Sequence, residues 1–363
     1  MMNRTPIKSI FISMITLSLT FFIISCSKEV SLKMELGDRE ALHEKKRQPI
    51  PGPRTCFWSR GPASKDPYIN IAYPDAGVYY WNATFTVPEG ARLYLEGVFP
   101  HSRYMSLISY DGRGAPIESL ADYLIVPDEN SINPFVEGAN RTLIKRSYKV
   151  EIVDLSPQIR RNEGTRLELQ TDVEGSGLQK EIRHRNSLNA TQYGQGQQSI
   201  IYRIYVPDKG KNESGGVPLP EPVLILKNRE ELRGDKACET LHTNQPPQIS
   251  IDAVGLPMTV YSELVNQPGK PATWPATVPP TWYLQYDRDF LLGIYNGQLP
   301  KSRRKSTGGF YPNLDNNYVR TIINRKHGKV FVMRGKLPKT PKTYHGDEFM
   351  TKGELVYWSI CSN

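Results

Sequence analysis

Residues 91–112 read ARLYLEGVFPHSRYMSLISYDG. Apolar and polar positions alternate from Leu93, break at Pro100, resume at Tyr104 and stop on Asp111-Gly112. A period of two, carried by aromatic and β-branched residues and bounded by turn formers, is the signature of strands with one buried face. Working outward, the same pattern marks 78–87, 148–153, 199–206, 282–286, 318–323, 329–334 and 355–360. Turn chemistry separates them, as in Pro88-Glu89-Gly90 and His327-Gly328. No stretch sustains a 3.6-residue period over three or four turns, so a long amphipathic helix is not expected. The expected fold class is mainly β: an antiparallel β-sandwich or jelly-roll-like architecture, with two related β-units and few short helices.

The two-unit reading comes from a weak repeat. Leu93–Pro100 ends in Gly97-x-x-Pro100 and is followed by Arg103-Tyr104-Met105-Ser106; Phe331–Pro338 ends in Gly335-x-x-Pro338 and is followed by Val356-Tyr357-Trp358-Ser359. A first β-sandwich unit is therefore placed at 56–235 and a second β-rich unit at 236–363, with the boundary near 230–248. The second copy reaches its last strand at Asn363. Either strands from elsewhere in the chain complete it, or the chain is truncated relative to its relatives.

The amino terminus carries Arg4 and Lys8 and no acid, followed by an uncharged run from Ile10 to Ile24. That layout is a signal peptide's, and its 15 residues fall short of the roughly 20 needed to cross a bilayer. It ends in Ile23-Ile24-Ser25-Cys26, which resembles the lipobox of bacterial lipoproteins. The resemblance implies cleavage before Cys26 and a diacylglycerol on its thiol, with further acyl chains such as palmitate strengthening the hold. The expected division is 1–25 signal peptide and 26–55 flexible tether, the latter charged, poor in aromatics and ending in Pro49-Ile50-Pro51-Gly52-Pro53. Ser27 is not the aspartate that retains some lipoproteins at an inner membrane, so an outer membrane or the cell surface is the expected location.

Net charge is +9, or +7 without Arg4 and Lys8. Such a charge either simply keeps the surface soluble or draws the body to an anionic membrane surface or polymer. Nucleic acid is not an expected partner: the densest basic run, Lys301-Ser302-Arg303-Arg304-Lys305, reads as a loop. With Cys26 lipidated, Cys56, Cys238 and Cys361 remain, which allows one disulfide in any of three pairings outside the cytoplasm.

At Pro100–Ser106 through Tyr110-Asp111, at Ile201–Asp208 and at Val356–Cys361, the chain resembles a group of exported bacterial proteins of unknown function. Their strands carry an aromatic-Trp-Ser-Leu-Thr-x-Tyr-Asp motif, and Met105 stands where that pattern often has Trp. The likeness runs over most of 56–363. It implies a fold more than an activity, and no catalytic residue carries over.

Gly-x-Ser-x-Gly, His-Glu-x-x-His and P-loop motifs are all missing from the sequence. Ser302-Arg303-Arg304-Lys305 matches Ser-x-x-Lys only formally, because its basic neighbours do not favour a buried lysine base. No Cys or His spacing points to a metal, and no cofactor is expected. The candidate ligand-binding residues form four sets. Asp315 and Asn317 could offer oxygens to a cation or to sugar hydroxyls, or could simply make a turn. His345 and Asp347 could form an acid/base pair. His101 and Arg103, with Asp111 further along, could line the end of the first unit. Aromatic residues supply the fourth, in Tyr68, Tyr73, Tyr79, Tyr80 and Trp81 and again in Trp274, Trp282, Tyr283 and Tyr286; their flat faces are of the type on which sugar rings stack, or they pack the core. Trp274, inside a proline-rich loop, is the best placed. The expected function is a membrane-anchored envelope lipoprotein whose sandwich binds a glycan or another envelope protein. The alternative is an enzyme acting on envelope carbohydrate, with two of Asp111, Asp315 and Asp347 as acid and base.

Overall fold

In the computed structural model, which describes residues 52–64, 75–155, 186–284, 287–299 and 308–362, the quoted stretch makes two strands that lie in different sheets. In the first sheet, β1 (Arg60–Ala63), β2 (Val78–Phe85), β8 (Gln198–Pro207), β4 (Ser102–Tyr110) and β5 (Pro116–Ala121) lie side by side in that order. The second runs β10 (Glu231–Arg233), β9 (Glu221–Ile225), β3 (Arg92–Val98), β6 (Ser147–Val153) and β7 (Ser187–Asn189). Every pairing is antiparallel except β6 with β7. The molecule is mainly β, as expected, and sandwich-like.

The alternation read from the sequence sets what faces inward. Trp81, Ala83 and Phe85 of β2, Met105 and Leu107 of β4, and Ile200, Tyr202 and Ile204 of β8 meet Leu93 and Leu95 of β3 and Tyr148, Val150 and Ile152 of β6 in one core. Phe57 and Trp58 complete it, and Trp58 and Trp81 both pack on the Tyr202 ring, with centroids 5.7 and 5.9 Å away. Each indole N–H finds a carbonyl, Trp58 at Pro220 and Trp81 at Pro53, as a buried indole requires. Burial of about ten such large side chains, at roughly 1.5–3 kcal/mol each, dominates the stability of the sandwich.

β8 is buried from Gln198 through Tyr205 without alternation, because its outer face is covered as well. Tyr80, Tyr104, Arg203, Tyr205 and Tyr110 form that outer layer, and the segment from Gly308 to Tyr318 lies over it. Gly308 and Gly309 (φ 119° and 80°) and then Phe310 and Tyr311 (φ 62° and 45°) bend this segment. A Cβ on Gly309 would fall 2.7 Å from the Ala253 carbonyl, so only glycine fits there.

The described residues of 236–363 do not form a second β-rich unit. They contain α1 (Gly234–Thr240, overlapping its start), α2 (Ile251–Val254), α3 (Met258–Val265), α4 (Arg288–Asn296) and a two-stranded sheet of β11 (Trp282–Leu284) and β12 (Val319–Thr321). Residues 329–334 and 355–360, read above as strands, are extended but pair with nothing in a sheet, and Val330, Val332 and Ile360 are exposed. Nor does a boundary fall at 230–248: Ala237, Cys238 and Leu241 enter the main core, and the Thr86 N–H donates to the Leu241 carbonyl. Ile50–Asn363 is one compact unit. The end of the expected tether also belongs to the fold, since Pro53 and Thr55 accept hydrogen bonds from Trp81 and Trp58.

Of the three possible cysteine pairings, the structure has Cys56–Cys238, which staples the start of the sandwich to α1 across 182 residues. Cys361 is free and exposed. No helix among the described residues is long and apolar enough to cross a membrane. Cys26, the run 301–305, Tyr68, Tyr73 and Tyr286 lie outside the described residues.

Candidate functional site

Three places gather the polar and aromatic residues singled out above. The first is at the start of β4, where residues 340–348 dock. Arg103 donates from Nε to the Thr343 hydroxyl (3.2 Å) and from Nη1 to that of Thr340 (3.5 Å). Beside it Arg141, 3 % exposed, grips Asp208 with Nη2, 2.7 Å from each carboxylate oxygen. Arg141 Nη1 reaches the carbonyls of Asp347 (2.9 Å) and Thr343 (3.4 Å). A second buried arginine, Arg146, lies within hydrogen-bond range of both ring nitrogens of His101 (2.9 and 2.8 Å) and of the Arg141 carbonyl. Gly215, at φ 70°, lets its loop press against Pro100 and His101, and the His101 N–H donates to its carbonyl.

Charge at this place is lopsided. Burial first, then the cations of Arg146, Lys211 and Arg141, pull His101 down to about 4, so at neutral pH the ring is uncharged and can accept from Arg146. Burial lowers Arg146 to about 10, with Arg141 adding to the effect and Asp208 opposing it. Burial raises the Asp208 carboxyl while Arg141, Arg146 and Lys211 pull it back.

His345 and Asp347, read above as a candidate pair, have other partners: Asp347 contributes its carbonyl to Arg141, and the His345 ring packs edge-on against Tyr344. Both residues belong to the docked loop. Sequence reasoning found His101 and Arg103 but missed Arg141, Arg146 and Asp208. Only Asp208 had been quoted, inside the Ile201–Asp208 motif.

The second place is the tyrosine layer. Asp315 accepts from the Tyr104 hydroxyl (2.7 Å) and the Ser119 hydroxyl (2.6 Å), and Asn313 donates to the Tyr104 and Tyr205 hydroxyls. Asn317 is exposed. Asp111 turns its carboxylate back onto the Arg113 and Ala115 N–H groups and makes a hairpin turn. Asp111, Asp315 and Asp347 are thus held by different partners. Asp122, which sequence reasoning missed, lies close enough to Asp315 to feel its charge. It is buried, with its oxygens accepting from the Met105 and Tyr123 N–H groups, and burial pushes it up to about 8. No group of three or more His, Cys, Asp or Glu among the described residues could hold a metal ion.

The third place is a cleft around Trp274. Asp287 caps α4, accepting from the Phe290 N–H, and Gly297 at φ 69° ends it. Phe290, Leu291, Ile294 and Tyr295 pack from α4 against Leu264 of α3. The Trp274 indole N–H donates to the Tyr295 carbonyl (2.9 Å), fixing the ring, and Lys270 Nζ lies 4.0 Å from its centroid. Tyr261, Trp274, Pro275, Tyr295, Asn266 and Asn324 are among the residues lining an open cleft of about 280 Å3. That is close to the lower end of ligand pockets, about 300 Å3, and suits one ring-sized group. Of the other aromatic candidates, Trp81 is fully buried in the sandwich core and Tyr79 packs against it, so neither presents a face to a ligand.

Comparison with family models, with curated proteins and with solved structures finds no match for this chain.

Proposed function

We propose that the chain is an exported lipoprotein of a bacterial envelope, held to a membrane through Cys26, whose folded part is a binding module rather than an enzyme and takes carbohydrate at the Trp274 cleft beside the sandwich. The observation that carries the reading is the Cys56–Cys238 disulfide, because such bonds persist in oxidising compartments and are rare in the cytoplasm. It agrees with the signal-like run before Cys26 and with the likeness of the β4 and β8 motifs to exported proteins. The ligand class follows from the cleft: Trp274 and Tyr261 offer faces for a sugar ring, beside Asn266 and Asn324, whose amides are held by Ser262, Ala272 and Lys326. Separate engagement of Asp111, Asp315 and Asp347 favours binding over hydrolysis, which needs two carboxyls converging at about 5–9.5 Å.

Two measurements test it. Mass spectrometry of the protein from bacterial membranes is expected to find residues 1–25 removed and a diacylglyceryl group on Cys26; a free thiol there would overturn the anchor. On a glycan array, Trp274→Ala is expected to lose binding that the parent protein shows. No binding by the parent, or equal binding by the variant, would overturn the carbohydrate reading.

A further inference from the structure

The two buried arginines at the start of β4 are not equivalent. Arg141 has its counter-charge, since both oxygens of Asp208 are bound by its Nη2. Arg146 is equally buried, at 3 % exposure, yet its hydrogen-bond partners are a neutral imidazole and a carbonyl. Its Nε, an N–H donor with no accessible surface, has no partner at all. A buried guanidinium with neither a carboxylate of its own nor a full set of acceptors is costly. A fold tolerates such a group most readily when something else brings the missing charge. Around it, Arg103, Lys211 and Arg141 are further cations, and Asp208 is the carboxylate they share. The place is not sealed, because Lys211 is exposed and His101 only half-buried.

We infer that Arg146, His101, Lys211 and the Arg141–Asp208 pair form a binding site for a phosphate group. A tetrahedral oxyanion provides several acceptor oxygens at once, matches the fork of a guanidinium, and brings the negative charge that Arg146 lacks. A shift of the half-buried His101 ring would open Arg146 Nε to it, Lys211 would close over it from solvent, and the Arg141–Asp208 pair would keep the loops at 208–216 and 340–348 in place around it. The same phosphate chemistry comes from two sources, free phosphate or the headgroup of an anionic lipid. This inference does not depend on the lipid anchor or on the Trp274 cleft.

The test uses the Cys26→Ser chain, which carries no acyl group. Calorimetry with inorganic phosphate against chloride at equal ionic strength reads free phosphate; sedimentation with phosphatidylglycerol vesicles, against phosphatidylcholine vesicles, reads the headgroup. Phosphate-specific binding in either arm supports the site, provided that Arg146→Gln abolishes it and Lys211→Glu weakens it. Binding in neither arm, or unchanged binding by Arg146→Gln, overturns it. Should Arg146→Gln not fold, NMR titration of the His101 ring in the parent chain decides. The groups facing that ring are Arg146, Lys211 and Arg141, and an added phosphate partly cancels their field, so the ring is expected to titrate at higher pH with the ligand than without. An unmoved ring overturns the site.

Discussion

Arg141 Nη2 lies 2.7 Å from both carboxylate oxygens of Asp208, and the two residues, 67 apart in sequence, are buried together. The rest of the Arg141 fork holds the carbonyls of Thr343 and Asp347, so one ion pair ties the loop after Val206 to the loop docked on β4. Replacing both charges by apolar groups could be neutral, but removing one leaves the other uncompensated indoors, at about 3–5 kcal/mol. Asp208→Asn is therefore expected to destabilise the fold by that order, seen as a lower urea midpoint, and to speed tryptic cleavage after Lys342, which is exposed on the docked loop. An unchanged midpoint would show that the pair lies open to water.

His101 gives the acid side of the stability profile. Its folded value of about 4 lies below its ordinary 6.5, so the unfolded chain binds a proton in this window and the folded one does not. The contribution is fully present above pH 6.5 and declines as pH falls toward 4. His101→Gln, which keeps an acceptor for Arg146, is expected to flatten that decline in urea titrations run at pH 7 and pH 4.5. A parallel decline in parent and variant would clear His101 of the role.

The five long strands were legible because each is rich in aromatic and β-branched residues and has a neighbour on either side: β2, β3, β4, β6 and β8 fall within a few residues of 78–87, 91–99, 104–110, 148–153 and 199–206. Residues 329–334 and 355–360 have the same composition and are not strands, since β-propensity describes a residue that fits a paired, half-buried surface, and here no partner strand is supplied. α4 escaped detection at nine residues, although its start and stop were written as Asp287 and Gly297. Arg103 was visible at the start of a strong strand. Arg141 and Arg146, by contrast, sit in an irregular connection and acquire meaning only when the fold brings Asp208 and His101 to them.

Asp122 acts with the opposite sign to His101. Burial holds its folded value at about 8 against an ordinary 3.8, so the folded chain keeps a proton that the unfolded chain has released. Its contribution is present below pH 3.8 and is lost as pH rises, until the folded carboxyl itself ionises near pH 8. The slope is at most about 1.4 kcal/mol per pH unit. Between pH 4 and 6.5 this opposes His101, and between pH 6.5 and 8 it stands clear of it. Asp122→Asn is expected to be less stable overall, having lost an acceptor for the Met105 or Tyr123 N–H, yet flatter from pH 6.5 to 8. A variant that parallels the parent across that range would mean Asp122 is ionised throughout.

The disulfide bears on every reading that places this chain outside the cytoplasm. Cys56 precedes Phe57 and Trp58, two of the largest core side chains, and Cys238 lies on α1, whose Ala237 and Leu241 share that core. The cross-link therefore acts where the sandwich is densest, and it closes a loop of 182 residues. In the chain-entropy account a loop that long restricts the unfolded state by about 5 kcal/mol. Cys56→Ser with Cys238→Ser is expected to fold with the same far-ultraviolet circular dichroism but to unfold at lower urea, and a reductant should lower the parent's midpoint toward the variant's. Cys361 is exposed and unpaired, so Cys361→Ser should leave the midpoint unmoved and serves as the control for thiol loss alone. If reduction leaves the parent's stability unchanged while free-thiol titration finds all three cysteines already reduced in protein from the bacterial envelope, the bond does not form there and the compartment argument falls with it.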